Sequence, residues 1–122
     1  MVSKIAVIGA GMMGGAIVKS LLKGGYKGRI IVADAEEKRL IEMNALGLSA
    51  TSDNQKAAAQ ADIVFIVVKP SNVERVLKGI SQELRGKIVV SVAATVPIEF
   101  LKKILPKTKF IRIIRVYINS PS

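Results

Sequence analysis

The sequence predicts an α/β fold in which one domain, residues 1–122, is built on a doubly wound parallel sheet. Short apolar runs alternate with helical patterns along the chain, which is typical of a parallel sheet with helices on both faces. A glycine-rich turn joins the first apolar run to the first helical pattern. Half of the residues are hydrophobic, so a substantial core is available. In such a sheet we expect ligands to bind at the carboxyl ends of the strands.

The first strand, the first helix and the turn between them carry the most informative motif. An apolar strand at Ile5–Ile8 runs into Gly9, Gly11 and Gly14 at G-x-G-x-x-G spacing, and a helix over Met12–Lys23 follows. In this motif the first glycine makes a tight turn, the second lets the backbone approach a pyrophosphate, and the third lets the helix pack closely on the strand. The helix N-terminus then faces the phosphates. The alternative is a glycine-rich turn that binds no ligand.

An acidic residue completes the motif. Asp34 lies at the end of a second apolar strand, Arg29–Ala33, twenty residues after the third glycine. A Rossmann-type domain places there the carboxylate that accepts hydrogen bonds from the adenosine ribose, so the pattern predicts dinucleotide binding. A carboxylate at this point repels a 2′-phosphate, which favours NAD over NADP. Lys38 and Arg39 would offset this repulsion if their side chains fold back towards the ribose.

The remaining elements continue the alternation. Strands are expected over residues 48–50, 63–68, 87–92 and 109–114, and helices over 36–46, 55–60, 71–80 and 97–104. Asp53 or Asn54 is suited to cap the short helix over 55–60, and Ser71 or Asn72 the one that follows. Pro97 suits the first turn of the last helix.

Two burial patterns are also predicted. The run Ile63–Val68 is rich in β-branched residues and wholly apolar, which favours a strand buried on both faces. The second helix is expected to bury Leu40, Ile41 and Met43. Both elements would then contribute to the core.

The composition restricts the chemistry that the chain can perform. It has no cysteine, which excludes disulfides, thiolate zinc sites and a cysteine nucleophile. It also has no histidine, the commonest general base and a common metal ligand, and we expect no metal site. A hydride-transfer cofactor fits this composition, because the cofactor itself carries the difficult chemistry.

The charge pattern bears on partners. The net charge is +10, from 19 basic and 9 acidic residues, but the chain has only 2 tyrosines and 3 phenylalanines. These aromatics are not interleaved with the basic residues as a base-stacking surface requires. We therefore expect a solvated basic face that attracts a polyanionic cofactor, and we do not expect nucleic acid as a partner. No signal peptide or membrane-length apolar run is present, which favours the cytoplasm.

Three further segments resemble pyrroline-5-carboxylate reductases. Ile63–Pro70 reads I-V-F-I-V-V-K-P, similar to a strand of that family that ends in V-K-P. Ser91–Val96 resembles the family's S-x-A-A-G-V segment, and Arg115–Pro121 resembles R-x-M-P-N-T-P. The opening I-G-A-G-M-M-G is also typical of the family. The segments occur in the family's order over the whole chain.

The resemblance implies a reductase that passes hydride from NAD or NADP, in reduced form, to the imine carbon of 1-pyrroline-5-carboxylate, giving proline. It also implies roles for individual residues. Those expected at the pyrophosphate are Gly9, Ala10, Gly11, Met12, Met13 and Gly14. The others expected to bind the cofactor are Asp34 and Asn54 on the adenosine side and Val68, Lys69, Pro70, Ala93 and Ala94 on the nicotinamide side. Asn119 is a candidate substrate contact. Met13 is more often a core residue at such a position, and Lys69 is as often a solvated lysine as a ligand.

The chain also departs from the family. Thr95 stands where glycine is usual, and Tyr117 and Ile118 replace a methionine and a proline. The family carries a C-terminal helical domain that dimerises and binds substrate, and Ser122 falls where it begins. We therefore expect the cofactor domain alone, inactive by itself and able to form a homodimer. The alternatives are another reductase domain, similar to prephenate dehydrogenases, 6-phosphogluconate dehydrogenase relatives or deazaflavin-dependent NADP reductases, or a non-enzymatic nucleotide-binding module.

Overall fold

A six-stranded parallel sheet organises the molecule, with strand order β3-β2-β1-β4-β5-β6. The computed structural model describes residues 3–92 and 96–112. The strands are β1 (Ile5–Ile8), β2 (Ile30–Ala33), β3 (Ser49–Thr51), β4 (Ile63–Ile66), β5 (Ile88–Ser91) and β6 (Lys109–Arg112). The helices are α1 (Met12–Lys23), α2 (Glu37–Ala45), α3 (Asn54–Ala59), α4 (Pro70–Gly79) and α5 (Ile98–Ile104).

The strand order reverses beside β1. From this strand the chain adds β2 and β3 on one side, then crosses through α3 and adds β4, β5 and β6 on the other. Such a reversal opens a crevice at the carboxyl ends of the two strands between which it occurs, here β1 and β4. The predicted α/β fold with a doubly wound parallel sheet is therefore confirmed, and its switch point lies at the glycine-rich turn.

Two apolar layers hold the helices on the sheet. On one face, α3, α4 and α5 contribute Ala57, Val73, Leu77 and Leu101, which are at most 1% exposed. On the other face, α1 and α2 pack on β1 and β2 through buried side chains that include Val18. Strands β1 and β2 are buried along their whole length because helices cover both of their faces.

Strand β4 differs from the prediction in length and burial. It ends at Ile66 rather than at Val68, and Val67 and Val68 already belong to the loop that leads to α4. Ile63 and Phe65 are only partly buried, so the expectation of burial on both faces is wrong. Helices α1 and α2 pack mainly over β1 and β2. They therefore cover Ile63 and Phe65 of the neighbouring β4 less completely.

Three local predictions about the helices are corrected. Helix α4 begins at Pro70 with Lys69 at its N-cap, so neither Ser71 nor Asn72 is the cap. Proline is suited to the first helical position because its missing N–H would lack an intrahelical partner anyway. Pro97 is the N-cap of α5 and stands one residue before the helix. Ile41 is 61% exposed and takes no part in the core, whereas Met43 is buried.

One cap was predicted correctly. Asp53 is the N-cap of α3, and its carboxylate accepts a hydrogen bond of 3.2 Å from the backbone N–H of Lys56. No helix in the described part of the chain is both long enough and apolar enough to cross a bilayer.

Candidate functional site

The carboxyl ends of three strands meet at the glycine-rich turn. The backbone N–H of Gly9 donates to the carbonyl of Ala33 at 2.8 Å, which ties the turn to the end of β2. The N–H of Val67 donates to the carbonyl of Ile8 at 2.9 Å, which ties the β4 loop to the end of β1. These bonds place the start of α1 in the crevice at the switch point.

Two of the three motif glycines are required by the protein itself. Gly9 has φ +108°, a conformation that side chains rarely adopt, and a Cβ there would lie 3.0 Å from the carbonyl carbon of Val67. A Cβ at Gly14 would overlap the carbonyl oxygen of Gly9, at 2.9 Å from its carbonyl carbon. The turn and the contact between helix and strand therefore need glycine at both positions.

Gly11 is different, because the described protein does not require glycine there. Its φ of −68° and ψ of −160° are accessible to any residue. The nearest neighbour of a Cβ at this position is the guanidinium of Arg39, at 3.5 Å, which is an ordinary contact with a flexible side chain. Gly11 is also the N-cap of α1, where no side chain caps the helix. The bare backbone at position 11 therefore suits an anionic group that approaches the helix N-terminus.

Two methionines flank this bare helix end. Met12 is 87% exposed and Met13 is 40% exposed, although both are large apolar side chains. The interpretation of Met13 as a core residue is therefore wrong. Their position in the first turn of α1 lets them form the apolar edge of a binding surface beside the glycine turn.

Asp34 is buried at the end of β2 and binds the glycine turn. Its side chain is 7% exposed. One carboxylate oxygen, Oδ2, accepts a hydrogen bond of 2.7 Å from the backbone N–H of Ala10. The other, Oδ1, accepts one of 2.8 Å from the N–H of Glu36. The carboxylate thus joins the loop that carries the motif to the loop that begins α2.

Arg39 connects two carboxylates above this turn. Its Nη1 lies 3.4 Å from Oδ2 of Asp34, and its Nε lies 2.9 Å from Oε2 of Glu36. The same guanidinium is the nearest group to the Cβ position of Gly11. We call Asp34, Glu36 and Arg39 the acid–arginine cluster. Sequence reasoning allowed Arg39 to fold back but missed Glu36, whose spacing of three residues from Arg39 on a helix was the available signal.

The β4 loop brings a second set of predicted residues to this edge. The Cγ1 atom of Val68 lies 3.4 Å from the Cβ position of Gly9, so Val68 packs directly on the turn. Lys69 and Pro70 are exposed at the start of α4, with no side-chain hydrogen bond at the cap. The structure therefore brings the β4 loop and the glycine turn together, as the resemblance implied.

Asn54 lies in a different setting. It is the first residue of α3 and lines an open groove of about 490 Å³ between α3 and α4. Arg75 contributes the cation of that groove. Ala93, Ala94 and Asn119, predicted at the nicotinamide and the substrate, lie outside the described residues.

Ser91 is a residue that sequence reasoning passed over. It ends β5 and is 2% exposed, and its hydroxyl makes no hydrogen bond within residues 3–92 and 96–112. A hydroxyl that follows three apolar residues at the carboxyl end of a predicted strand was the signal that would have singled it out. It lies at the carboxyl end of β5, two strands from β1 in the sheet.

Comparison with known proteins agrees with this geometry. Residues 4–95 match the model of a family described as NADP oxidoreductase, coenzyme F420-dependent. A pyrroline-5-carboxylate reductase of Vibrio alginolyticus is 40% identical over 122 residues, which are 98% of this chain and 44% of that protein.

Solved structures give the same relationship. A pyrroline-5-carboxylate reductase from Coxiella burnetii superposes with a TM-score of 0.86 at 30% identity, over 92% of this chain and 43% of its own. An imine reductase variant from Myxococcus stipitatus, solved in complex with NAD⁺, superposes with a TM-score of 0.78 at 26% identity, over 92% of this chain and 40% of its own. The chain thus spans less than half the length of the relatives that it matches.

Proposed function

Because the chain belongs to the family described as NADP oxidoreductase, coenzyme F420-dependent, we propose that it is the dinucleotide-binding part of an oxidoreductase that reduces 1-pyrroline-5-carboxylate to proline. The chain is similar to pyrroline-5-carboxylate reductases along nearly its whole length. The proposed reaction adds hydride to the imine carbon and a proton to the imine nitrogen. The nicotinamide is oxidised as the imine is reduced.

The main observation in support of this proposal is the glycine at position 11. The backbone conformation there and the surrounding protein would both accept a side chain. A ligand that must approach the backbone closely gives a reason for glycine that the fold does not. The pyrophosphate of a dinucleotide is such a ligand, because it accepts hydrogen bonds from the free N–H groups of a helix N-terminus.

Different residues around the turn would then contact different parts of the dinucleotide. The N–H groups at the start of α1 would hold the pyrophosphate, and Met12 would form an apolar edge of the site. Asp34 keeps the turn in shape through Ala10 and lies on the ribose side. Val68 and Lys69 would border the nicotinamide side. When bound, the cofactor supplies the hydride, and these residues orient it and shield it from water.

We further propose that NADH binds at least as tightly as NADPH at moderate salt. Two carboxylates, those of Asp34 and Glu36, stand beside one guanidinium at the ribose side of the site. A 2′-phosphate would meet net negative charge there, whereas ribose hydroxyls can donate to a carboxylate. Related proteins are named for NADP or contain NAD⁺, so both cofactors are plausible ligands.

Binding and turnover are expected to differ. The relatives are more than twice as long as this chain, and the resemblance implies that their substrate contacts lie in a C-terminal helical domain. We therefore propose that residues 1–122 bind the dinucleotide but reduce 1-pyrroline-5-carboxylate slowly or not at all when assayed by themselves.

Replacing Gly11 with valine tests the cofactor site. A Cβ fits beside Arg39, and because valine is a poorer N-cap residue than glycine we expect the unfolding free energy to fall by about 1 kcal/mol. The valine side chain should block the pyrophosphate and weaken NADH and NADPH binding by several kcal/mol, as a steric clash in a packed site does. Isothermal titration calorimetry measures both affinities, and urea unfolding measures stability.

The control is Gly15→Ala, four residues further along the same helix. A Cβ at Gly15 has its nearest neighbour, the carbonyl oxygen of Ala10, at 3.9 Å. This variant should bind both cofactors as wild type does. Equal affinities for wild type and Gly11→Val would contradict the proposed site.

A further inference from the structure

The acid–arginine cluster bears on the choice between NADH and NADPH. Arg39 is the group that a 2′-phosphate would attract, because a guanidinium binds phosphate oxygens in bidentate fashion. In the structure, however, two of its three nitrogens already face carboxylates, Nε at Glu36 and Nη1 at Asp34. Its third nitrogen, Nη2, lies 3.7 Å from the Cβ position of Gly11. The guanidinium of Arg39 thus lies at the predicted cofactor site, but it is already paired with two carboxylates.

The two carboxylates differ in what else they do. Asp34 is buried and holds the backbone N–H groups of Ala10 and Glu36, so its carboxylate maintains the loops whether or not Arg39 is present. The side chain of Glu36 is 64% exposed. Glu36 is the N-cap residue of α2, yet its side chain makes no capping hydrogen bond. Within the described residues, the one polar contact of its side chain is the ion pair with Arg39.

We propose that Glu36 is the specificity-determining residue of this site, because it holds Arg39 in the acid–arginine cluster and keeps the guanidinium from a 2′-phosphate. The inference rests on the proposed dinucleotide function. Glu36 acts through Arg39 and touches neither the reacting atoms nor, in this account, the cofactor. Removing its charge would leave the motif and the contact between Arg39 and Asp34 intact, and would free the Nε–H of Arg39 for the phosphate.

Because the ion pair is weak, we expect it to lower the affinity for NADPH and not to prevent NADPH from binding. Both side chains of the pair are well exposed, at 42% for Arg39 and 64% for Glu36. Exposed ion pairs contribute little, so a phosphate dianion can displace Glu36 at a modest cost. The discrimination against NADPH should therefore be modest in size and should fall as salt screens the charges.

Glu36→Gln tests the inference, with Glu37→Gln as the matched control. Glu37 also lies at the start of α2 and loses the same charge, but it makes no ion pair within the described residues. Glu36→Gln should tighten NADPH binding about two- to fivefold relative to NADH, the upper part of the range that an exposed ion pair contributes. Glu37→Gln should change this ratio less than twofold. Calorimetric titrations of both cofactors into wild type and the two variants, at two salt concentrations, give the ratios of NADPH to NADH affinity.

A second variant and a second readout identify the cation. The double variant Glu36→Gln/Arg39→Ala should lose the gain in NADPH affinity. Without cofactor, the Nε–H resonance of Arg39 in a nitrogen-15 spectrum should move in Glu36→Gln and stay in place in Glu37→Gln.

The other possible outcomes separate a failure of this inference from a failure of the proposed function. Equal NADPH-to-NADH ratios in Glu36→Gln and Glu37→Gln, with both cofactors bound, would overturn the role of Glu36 and leave the proposed function standing. A gain in NADPH affinity that persists without Arg39 would also overturn the role of Glu36, since another cation would then bind the 2′-phosphate. Failure of every variant and of wild type to bind either cofactor would overturn the proposed function and this inference with it.

Discussion

At the residue scale, the three glycines of one motif have separate physical reasons. Gly9 and Gly14 are required because a side chain at either position would collide with the backbone of the described protein. Gly11 has no such constraint. If the proposed dinucleotide binds here, the motif combines two glycines that the fold needs with one that the ligand needs.

Two neighbouring glycines of α1 should respond in opposite ways to alanine. Gly14→Ala forces a Cβ onto the carbonyl of Gly9, and overpacking against rigid backbone should lower the unfolding free energy by about 2–3 kcal/mol or more. Gly15→Ala makes only an ordinary contact, 3.9 Å from the carbonyl oxygen of Ala10, and should raise it by roughly 0.5–1 kcal/mol, because alanine favours the helix interior over glycine. Urea unfolding followed by circular dichroism measures both. Similar stabilities for the two variants would mean that Gly14 does not pack as described.

At the element scale, the chain begins its helices in several ways. Helix α3 uses the carboxylate of Asp53 as a cap, whereas α1 and α4 begin without a side-chain cap at the edge where the cofactor is proposed to bind. The short α3 is also held at its other end, where the amine of Lys87 donates to the carbonyl of Ala58. Burial lowers the pKa of that amine. Helix α3 thus has its first N–H groups partly satisfied by its own chain, whereas α1 and α4 leave theirs without a side-chain cap.

The cap of α3 gives a prediction of its own. Asp53→Ala removes the acceptor of the Lys56 N–H and should lower the unfolding free energy by about 1 kcal/mol, the typical value of an N-cap. Ser52→Ala, one residue earlier on an exposed position, should cost less than about 0.5 kcal/mol. Thermal and urea unfolding of the two variants can be compared with wild type. An Asp53→Ala protein as stable as Ser52→Ala would show that the cap contributes nothing to α3.

At the scale of the whole molecule, the strand reversal beside β1 explains why the site lies where it does. It brings the first turn of α1, the buried carboxylate of Asp34 and the loop through Val68 to one edge of the sheet. These residues are distant in sequence. The net charge of +10 adds a long-range attraction for a polyanionic ligand.

Much of the fold and part of the candidate site were predictable from the sequence, because the strongest sequence patterns are local. The bounds of β1 and α1 match the predicted ones, since apolar periodicity and the glycine motif mark both ends. The start of α4 was missed because Pro70 outweighed the polar residues that follow it. The pairing of Arg39 with two carboxylates could not be read in full, because the direction of a long side chain depends on neighbours brought together only by the fold.

The most direct test of the central claim is a map of the dinucleotide-binding surface in solution. Titrating NADH into nitrogen-15-labelled protein and following the backbone amide resonances shows which edge of the sheet the ligand meets. We expect the largest shifts in residues 9–14, with further shifts at Asp34 and Val68, and smaller ones elsewhere. Shifts centred on Asn54 and Arg75 in the groove between α3 and α4, with residues 9–14 unchanged, would contradict it.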